Sequence, residues 1–310
     1  MKVICEQNEV ALNYRNDPTI IGWMHGDEPD NAQPLGKGKG YCPPIPPQKI
    51  VADHGRMRAA DPSRPVLLNL GQGVAYDNYI GRGVRRNHPE DYPEYLKGCD
   101  IASFDIYPVV HENPEVAGKL WFVGRGVQRL VQWSGGEKIV WNCLECTRIS
   151  NTKTKPMPHD VRAEAWMSLI HGSRGLIYFV HQFQPVFREA ALFDDAEMLA
   201  AVTALNGQIT ELAPVLNSPT ERDALAVRSE NSNVPLAVLA KRYAGSIYLF
   251  AVGMREGRTA ATFTLSGSQR DETIEVLGEN RTIIVTKGKF ADNFGSWDVH
   301  LYRFKAETGR

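Results

Sequence analysis

Strand-like and helix-like segments alternate through residues 1–218, and this alternation is what most constrains the fold. Short apolar runs predict five strands, at residues 19–28, 65–71, 101–109, 138–145 and 176–183. Amphipathic or capped segments predict the helices, at residues 4–15, 47–60, 89–100, 117–135, 159–175 and 194–216. Alternation of this kind is typical of a parallel sheet with helices outside it. The strands are apolar on both faces, as in a sheet that is covered on both sides.

The pattern changes after Pro219. Beyond it, short alternating runs such as "PLAVLAKRYA" and "SIYLFAVGM" are separated by Gly, Asn and Ser, and no helix is evident. Such runs predict an antiparallel β-sandwich. We therefore predict an α/β fold of two domains: an incomplete TIM-type (β/α) barrel of about five parallel strands over residues 1–218, and a small β-sandwich over residues 219–310.

The composition argues against several classes of function. The 310 residues are 43% hydrophobic and 23% charged, and the formal net charge is −1. Electrostatic attraction to nucleic acid or to an anionic membrane is therefore not expected. No apolar run approaches the roughly 18 residues of a membrane span. The first residues lack the apolar core of a signal peptide, so the sequence favours the cytoplasm.

Cysteine usage is typical of a reducing compartment, because the five residues are an odd and scattered set. They are Cys5, Cys42, Cys99, Cys143 and Cys146. Cys143 and Cys146 have the spacing of metal ligands, but no second pair of Cys or His completes four ligands. Both fall within a strand-like run and are predicted to be buried thiols. No metal or organic cofactor is expected.

A segment dense in Gly and Pro, "DNAQPLGKGKGYCPPIPPQ" at residues 30–48, predicts a long loop after the first strand. Long ordered loops in compact domains are usually functional. Its "GKGKG" lacks the Gly-Lys-Ser/Thr ending of a phosphate-binding loop, so nucleotide binding is not expected.

Acidic and polar side chains stand where the predicted strands end. Glu28 ends the first strand and Glu145 the fourth, Asp105 and Tyr107 lie near the end of the third, and His181 lies near the end of the fifth. Parallel α/β folds place their catalytic groups at the carboxyl ends of strands. These residues are therefore the candidates for a catalytic site.

Side chains alternate along a strand, so Glu28 and Glu145 are both expected to face the mouth of one pocket, while Asp27 points towards the helix layer. Two carboxyl groups that face one pocket are the minimal equipment for glycoside hydrolysis. One stays protonated and donates its proton to the leaving oxygen, and the other attacks the anomeric carbon or activates a water. Tyr107 is predicted to orient the nucleophile. The alternative for Glu28 is a solvated loop acid without function.

Aromatic side chains near the strand ends suit stacking on the faces of sugars. Trp23, Trp141 and Tyr178 are assigned to substrate binding on this ground, and Asp27, Asp105 and His181 complete the predicted set. The alternative for each aromatic ring is packing in the core.

Several of these segments resemble glycoside hydrolases of clan A. "IIGWMHGDEPD" resembles the fourth barrel strand of the clan, whose Glu is the acid/base, here Glu28. "FDIYPV" resembles the sixth strand, with Asp105 and Tyr107, and "VWNCLE" resembles the seventh, whose terminal Glu is the nucleophile, here Glu145. "RAEAWMSLIHGSRGLIYF" resembles the seventh helix and eighth strand of family-42-like enzymes. The resemblance implies a retaining glycosidase.

The sequence departs from that family in several ways. Asp27 stands where the clan has Asn, and the eighth strand carries Tyr178 and His181 where the clan usually has Trp. If residues 19–28 are the fourth strand, the chain has no sequence for the first three. Five parallel strands cannot close a barrel, and two open edges expose unpaired backbone. The chain is then a fragment of a longer protein, or covers the gap with its own segments, or pairs with another copy. We predict self-association, which a monomer in light scattering at micromolar concentration would contradict.

The leading prediction is a glycosidase that acts on a carbohydrate with Glu28 as acid/base and Glu145 as nucleophile. The alternative is a catalytically degenerate barrel that binds carbohydrate or serves as a scaffold, because a fold does not prove a function. The resemblance suggests a β-galactoside or β-glucoside as substrate, and an α-glucan stays open.

Overall fold

A sheet of parallel strands forms the first part of the fold in the computed structural model, which describes residues 1–266 and 271–305. The strands are β1 (Val3–Glu6), β2 (Ile20–Met24), β5 (Val66–Leu70), β6 (Ile101–Phe104), β7 (Ile139–Glu145) and β8 (Gly175–Phe179), and a hairpin of β3 (Gln33–Pro34) and β4 (Tyr41–Cys42) follows β2. The six strands lie in the order β1-β2-β5-β6-β7-β8 and form a curled half-barrel. The incomplete barrel is confirmed, with six strands where the sequence predicts about five.

Helices connect these strands, as the alternation predicts. They are α1 (Glu9–Asn13), α2 (Pro47–Ala60), α3 (Tyr92–Tyr95), α4 (Trp121–Trp133), α5 (Pro158–His171) and α6 (Ala196–Leu216). Proline at the first position of α2 fits the helix start, where the missing N–H has no partner in any case. Asp195 caps α6, and its side chain accepts a hydrogen bond from the N–H of Met198. Within the described ranges, no helix has the length and apolar character needed to cross a bilayer.

The C-terminal part is an antiparallel β-sandwich. Its strands are β9 (Leu225–Ser229), β10 (Leu236–Tyr243), β11 (Ser246–Gly253), β12 (Thr259–Leu265), β13 (Glu272–Val276), β14 (Arg281–Val285), β15 (Lys289–Phe294) and β16 (Val299–Lys305). They form a five-stranded sheet in the order β10-β11-β16-β13-β14 and a three-stranded sheet in the order β15-β12-β9. Buried side chains alternate along β12 and pack with those of the other sheet, among them Phe263, Leu249 and Ile274. The predicted sandwich is confirmed.

Contacts between Cα atoms divide the chain into two compact units. The first contains Met1–Pro108, Phe122–Leu144 and Gly172–Tyr178 and holds most of the parallel sheet. The second contains Val109–Trp121, Glu145–His171 and Phe179–Arg310. In the second unit, α5 packs on the β-sandwich, with the Trp166 ring stacked on Phe250 at 5.1 Å between centroids. The predicted boundary at residue 218 follows the end of α6 and stays a prediction.

Burial differs between the middle and the edges of the parallel sheet. All residues of β5 and β6 are buried, as expected for strands covered on both faces. The two edge strands, β1 and β8, are only half-buried.

The structure corrects three predicted elements. Residues 4–15 are predicted as one helix, but Val3–Glu6 form β1, which pairs with β2, and a five-residue helix follows it. A short amphipathic segment fits both the helical period of about 3.6 residues and the strand period of about 2. Here pairing with the apolar strand β2 stabilises the strand. The first predicted strand ends at Met24, four residues before Glu28, and residues 89–100 form short helical turns around α3 rather than one helix.

Two glycines inside helices give opposite predictions. A Cβ at Gly126 of α4 would lie 2.2 Å from Cζ of Phe104, whereas a Cβ at Gly55 of α2 meets nothing within 4 Å. We expect Gly126→Ala to lower the free energy of unfolding by about 1–3 kcal/mol through overpacking. Gly55→Ala should raise it by about 0.5–1 kcal/mol through helix propensity. Urea unfolding of both variants tests this, and equal shifts in the two would contradict the close approach of α4 to β6.

Candidate functional site

Glu28 lies in a sharp turn just beyond the carboxyl end of β2. Its backbone has a φ of 43°, in the left-handed region that disfavours side chains other than Gly, Asn and Asp. The Glu28 N–H donates to the carbonyl of Asn69 at 3.2 Å, and the Glu28 carbonyl accepts from the N–H of Asn31 at 3.0 Å. The alternation used to orient Glu28 and Asp27 ends with the strand at Met24, so this turn sets their directions instead.

A cleft of about 530 Å³ opens beside this turn in the first unit. Polar groups on its wall are Asp27, Glu28, Asn31, Gln33, Tyr41 and Tyr79, and the remaining lining comes from Ala32, Pro34, Ile80, Gly81 and Gly83. The wall therefore comes from the loops that follow β2 and β5 and from the β3–β4 hairpin. Loops at the carboxyl ends of adjacent parallel strands are the usual place for an active site in such folds.

The Glu28 carboxyl is half-buried and held by neighbours. Asn31 donates from Nδ2 to Glu28 Oε2 at 2.8 Å, and the side chain of Asp105 is hydrogen-bonded to that of Glu28. Burial raises the pKa of Glu28 above its ordinary value, and the negative charges of Asp30 and Asp27 act in the same direction, while the hydrogen bonds with Asp105 and Asn31 oppose the shift. Glu28 thus holds its proton to a higher pH than an exposed glutamic acid does.

Asp27 is exposed and lines the same cleft. Its Oδ1 accepts a hydrogen bond from Nδ2 of Asn69 at 2.9 Å. The predicted direction of Asp27, towards the helix layer, is therefore wrong, because the chain has left the strand before this residue. The structure brings Asp27, Glu28 and Asp105 together at one end of the half-barrel.

Asp105 and Tyr107 follow β6 and lie against one another. Burial raises the pKa of Asp105 well above its ordinary value, and the charge of Glu28 raises it further. Burial also raises the pKa of Tyr107, with the charge of Asp105 as the next cause. Tyr107 therefore stays protonated and interacts with Asp105. The sequence predicts instead that Tyr107 orients Glu145, and that role stays a prediction.

Glu145 ends β7 and lies in a closed environment of the second unit. Its side chain is fully buried, and its two oxygens accept hydrogen bonds from the N–H groups of Val109 at 2.6 Å and Val110 at 2.9 Å. The side chain of Glu164 on α5, also fully buried, interacts with it, and a hydrogen bond between the two carboxyls requires a proton on one of them. Burial raises the pKa of Glu145 to about 8, although the two N–H donors oppose the shift. Burial and the charge of Glu145 raise the pKa of Glu164 as well.

The predicted aromatic set is divided by burial. Trp23 is fully buried and its Nε1 donates to Asp61 at 3.0 Å, which is the core packing given above as its alternative; its role in substrate binding stays a prediction. Trp141 is half-buried and lies over Gly175, where a Cβ would come within 2.6 Å of the indole Nε1. Tyr178 is half-buried within β8.

His181 belongs to an aromatic cluster in the loop after β8. Its ring contacts those of Phe179, Phe183 and Phe187, at centroid distances between 5.5 and 6.5 Å. Phe183 and Phe187 are exposed. The role of His181 in substrate binding stays a prediction.

Sequence reasoning missed four residues that shape these sites: Asn31, Gly71, Tyr79 and Glu164. Burial raises the pKa of Tyr79 to about 12, followed by the charge of Glu28, so this cleft residue stays a hydrogen-bond donor. A Cβ on Gly71 would lie 2.8 Å from the Asn31 amide and 2.9 Å from Glu28 Oε1. Glu164 did carry a signal, because helical spacing places this acid on the face of Val161 and Ser168, which are buried.

Metal ligands are not grouped in residues 1–266 or 271–305, where no three His, Cys, Asp or Glu side chains come together in a way that could hold an ion. Cys143 and Cys146 are both buried free thiols. Cys146 Sγ contacts the carbonyl of Phe179 at 3.3 Å.

Solved structures with this architecture are glycoside hydrolases. The α-amylase from Geobacillus thermoleovorans in complex with acarbose superposes with a TM-score of 0.57 at 11% identity, over 97% of this chain and 63% of the amylase. The family GH42 exo-carrageenase from Bacteroides ovatus gives 0.56 at 9% identity, over 85% and 56%. A cyclomaltodextrinase gives 0.55 at 11% identity, over 95% and 47%. The chain thus spans less than two thirds of the length of each.

The fold is that of TIM-barrel glycosidases with a C-terminal β domain. At this level of identity the likeness defines the architecture alone, and function has to be argued from the site. No protein-family model matches the sequence, and no curated protein is similar to it. Amylases and a family-42 enzyme match about equally well, so the narrower resemblance to family 42 is not confirmed.

Proposed function

We propose that this protein hydrolyses glycosidic bonds of a carbohydrate bound in the cleft beside β2, with Glu28 as the proton donor. One observation carries the proposal: a carboxyl group with a raised pKa lines an open cleft at the carboxyl end of a strand in a glycosidase-type fold. A carboxylic acid that is protonated near neutral pH can donate its proton to the leaving oxygen as the glycosidic bond breaks.

The rest of the cleft suits a sugar. Tyr41 and Tyr79 contribute aromatic rings, and Asn31 and Gln33 contribute amides that donate and accept hydrogen bonds. Proteins with this fold are described in complex with acarbose and with maltose, which supports carbohydrate as the class of ligand.

The second carboxylate has two candidates, Glu145 and Asp27. The resemblance assigns Glu145 as the nucleophile of a retaining mechanism, but a nucleophile must be ionised, and the pKa of Glu145 is raised to about 8. Asp27 offers an alternative, because it is an exposed carboxylate in the same cleft as Glu28. When one carboxyl group is buried and the other is in a polar environment, their pKa values differ, so the buried one can act as the acid and the polar one as the base or nucleophile.

Hydrolysis of a panel of α- and β-aryl glycosides and polysaccharides tests this proposal. We expect Glu28→Gln to lower the rate about 10²–10⁴-fold, as loss of a general acid does. Asp27→Asn and Glu145→Gln, assayed beside it, identify the second carboxylate by the larger loss, and the anomer released first, read by NMR, distinguishes retention from inversion. Glu137→Gln, which changes an exposed Glu, is the matched control and should keep full activity.

Two outcomes would overturn the proposal. Full activity in Glu28→Gln would move the chemistry away from this cleft. No hydrolysis of any substrate by the folded wild type would favour the alternative, a catalytically degenerate barrel, and calorimetric titration with the same oligosaccharides would then separate a binding protein from a scaffold.

Self-association is a further part of the proposal. The half-buried edge strands β1 and β8 leave the parallel sheet open at both sides, and another copy of the chain could cover them. Light scattering gives the oligomeric state directly.

A further inference from the structure

The Glu28 side chain is hydrogen-bonded to a second carboxyl group, that of Asp105. Two ionised carboxylates repel one another and have no hydrogen to share. A hydrogen bond between them therefore requires a proton on one of the two, and the pair then carries a single negative charge.

The surrounding charges favour keeping that proton. Three ionisable groups act on the pair directly: Asp27 and Asp30 from the loop after β2, and Tyr107 after β6. Two more lie near enough to feel its charge, Tyr79 after β5 and Cys143 on β7. All of these are acids. The charges of Asp27 and Asp30 oppose a second negative charge on the pair, whereas Tyr79, Tyr107 and Cys143 stay neutral and the hydrogen bond from Tyr107 stabilises the single charge.

Neighbouring residues fix the Glu28 side of the pair. Asn31 Nδ2 donates to Glu28 Oε2 at 2.8 Å. Gly71 has no side chain, and this leaves the space that the side chains of Asn31 and Glu28 occupy. Gly71 is in turn tied to the same loop, because its N–H donates to Asp30 Oδ1 at 2.8 Å. The Glu28 carboxyl is thus held in place at the wall of the cleft.

We propose that Asp105 is a positioning residue that shares one proton with Glu28 and keeps Glu28 ready to donate it into the cleft. The inference rests on the proposed function for its catalytic meaning, but the shared proton is a property of the folded protein. In the reaction, the glycosidic C–O bond breaks, the leaving oxygen takes the shared proton, and the pair passes from one negative charge to two. The water that adds to the anomeric carbon returns a proton to Glu28 and restores the pair.

Titration of the Glu28 carboxyl by ¹³C NMR tests the shared proton without any substrate. Protein labelled at the Glu side-chain carboxyl carbons gives the signal, which is assigned by its loss in Glu28→Gln. In the wild type we expect Glu28 to titrate in two steps, because coupled sites lose their protons in macroscopic steps. In Asp105→Asn no second carboxyl is left to share the proton, so the upper of the two wild-type steps should disappear and Glu28 should titrate in a single step at lower pH.

Asp53→Asn is the matched control, because Asp53 lies on α2 and pairs with Lys49 rather than with the cleft. It should leave the Glu28 titration unchanged. A single-step wild-type titration at the ordinary value would overturn the inference even if Asp105→Asn failed to fold. So would a Glu28 titration that keeps its upper step in a folded Asp105→Asn.

Activity gives a separate reading. If the protein hydrolyses glycosides, the alkaline limb of its pH–rate profile should move to lower pH in Asp105→Asn, from the upper NMR step of the wild type to the single NMR step of the variant. A purely structural role would lower the rate without moving that limb. If no substrate is hydrolysed, the proposed function fails while the NMR experiment still decides on the shared proton.

Discussion

Replacing Glu164 with glutamine is expected to flatten the dependence of folding stability on pH. Glu164 and Glu145 are both fully buried and hydrogen-bonded to one another, and the acid Asp160 lies near enough to raise the pKa of each. The folded protein therefore binds protons that the unfolded chain releases. A glutamine at position 164 takes up no proton and can still donate to Glu145, so the variant loses the proton uptake of Glu164 itself.

The sign follows from the direction of the shift. The pKa of Glu145 rises from 4.5 to about 8 on folding, so its full stabilisation is present below pH 4.5 and is lost as the pH rises towards 8. One such group costs about 1.4 kcal/mol per pH unit in that window, or about 4 kcal/mol between pH 5 and pH 8. Glu164 takes up a proton on folding in the same way, so Glu164→Gln should remove its share of the slope, roughly half, and gain stability relative to the wild type as the pH rises from 5 to 8.

Urea unfolding at pH 5, 6.5 and 8 gives the free energy of unfolding of the variant and of the wild type. The contributions of other titrating groups cancel in the difference between the two. Glu211→Gln is the matched control, since Glu211 lies exposed on α6. It should change the free energy of unfolding by less than about 0.5 kcal/mol at every pH. Parallel pH profiles for Glu164→Gln and the wild type would show that the buried pair does not hold the proton.

Arg82→Met should produce a comparably large loss of stability. Arg82 is almost fully buried, and its guanidinium donates to the carbonyls of Asp30 at 3.2 Å and His88 at 2.9 Å and to the carboxylate of Asp91 at 2.8 Å. It also lies over the ring of Tyr92. Methionine fills much of the volume but removes the donor to the Asp30 carbonyl and the positive charge 3.9 Å from the buried Asp30 carboxyl, and such a break in a buried ionic network costs about 3–5 kcal/mol.

Arg56→Met makes the corresponding change on the surface. Arg56 pairs with Asp53 on α2, and its side chain is 70% exposed. Exposed ion pairs contribute about 0–1 kcal/mol, so this variant should unfold nearly as the wild type does. Similar midpoints for Arg82→Met and Arg56→Met in urea would contradict the structural role of the buried guanidinium.

The sequence predicts the long elements well because their periodicity reflects which face is buried. The apolar runs at β5 and β7, the amphipathic α4 and the alternating strands of the sandwich all lie where the pattern puts them. β1 was missed because four residues carry too little periodicity, and its pairing with β2 is a contact between distant parts of the chain.

The candidate site was harder to predict than the fold. Glu28, Asp27 and Asp105 could be nominated because parallel strands end at one edge, and that expectation needs no side-chain geometry. The hydrogen-bond partners of each carboxyl could not be predicted, because they depend on the turn after Met24 and on which loops meet across the sheet. Glu28 is joined to Asp105, and Glu145 to Glu164, and neither partnership leaves a local mark in the sequence.

The left-handed backbone of Glu28 sets stability against chemistry at a single position. A residue with a Cβ in this conformation costs about 1 kcal/mol relative to glycine, and strain of this kind gathers at functional sites. Selection of variants for heat resistance alone would favour glycine at position 28, and that substitution would remove the proposed acid. Any engineering of a more robust form therefore has to hold residue 28 fixed and seek its gains elsewhere, for example on the open face of α2.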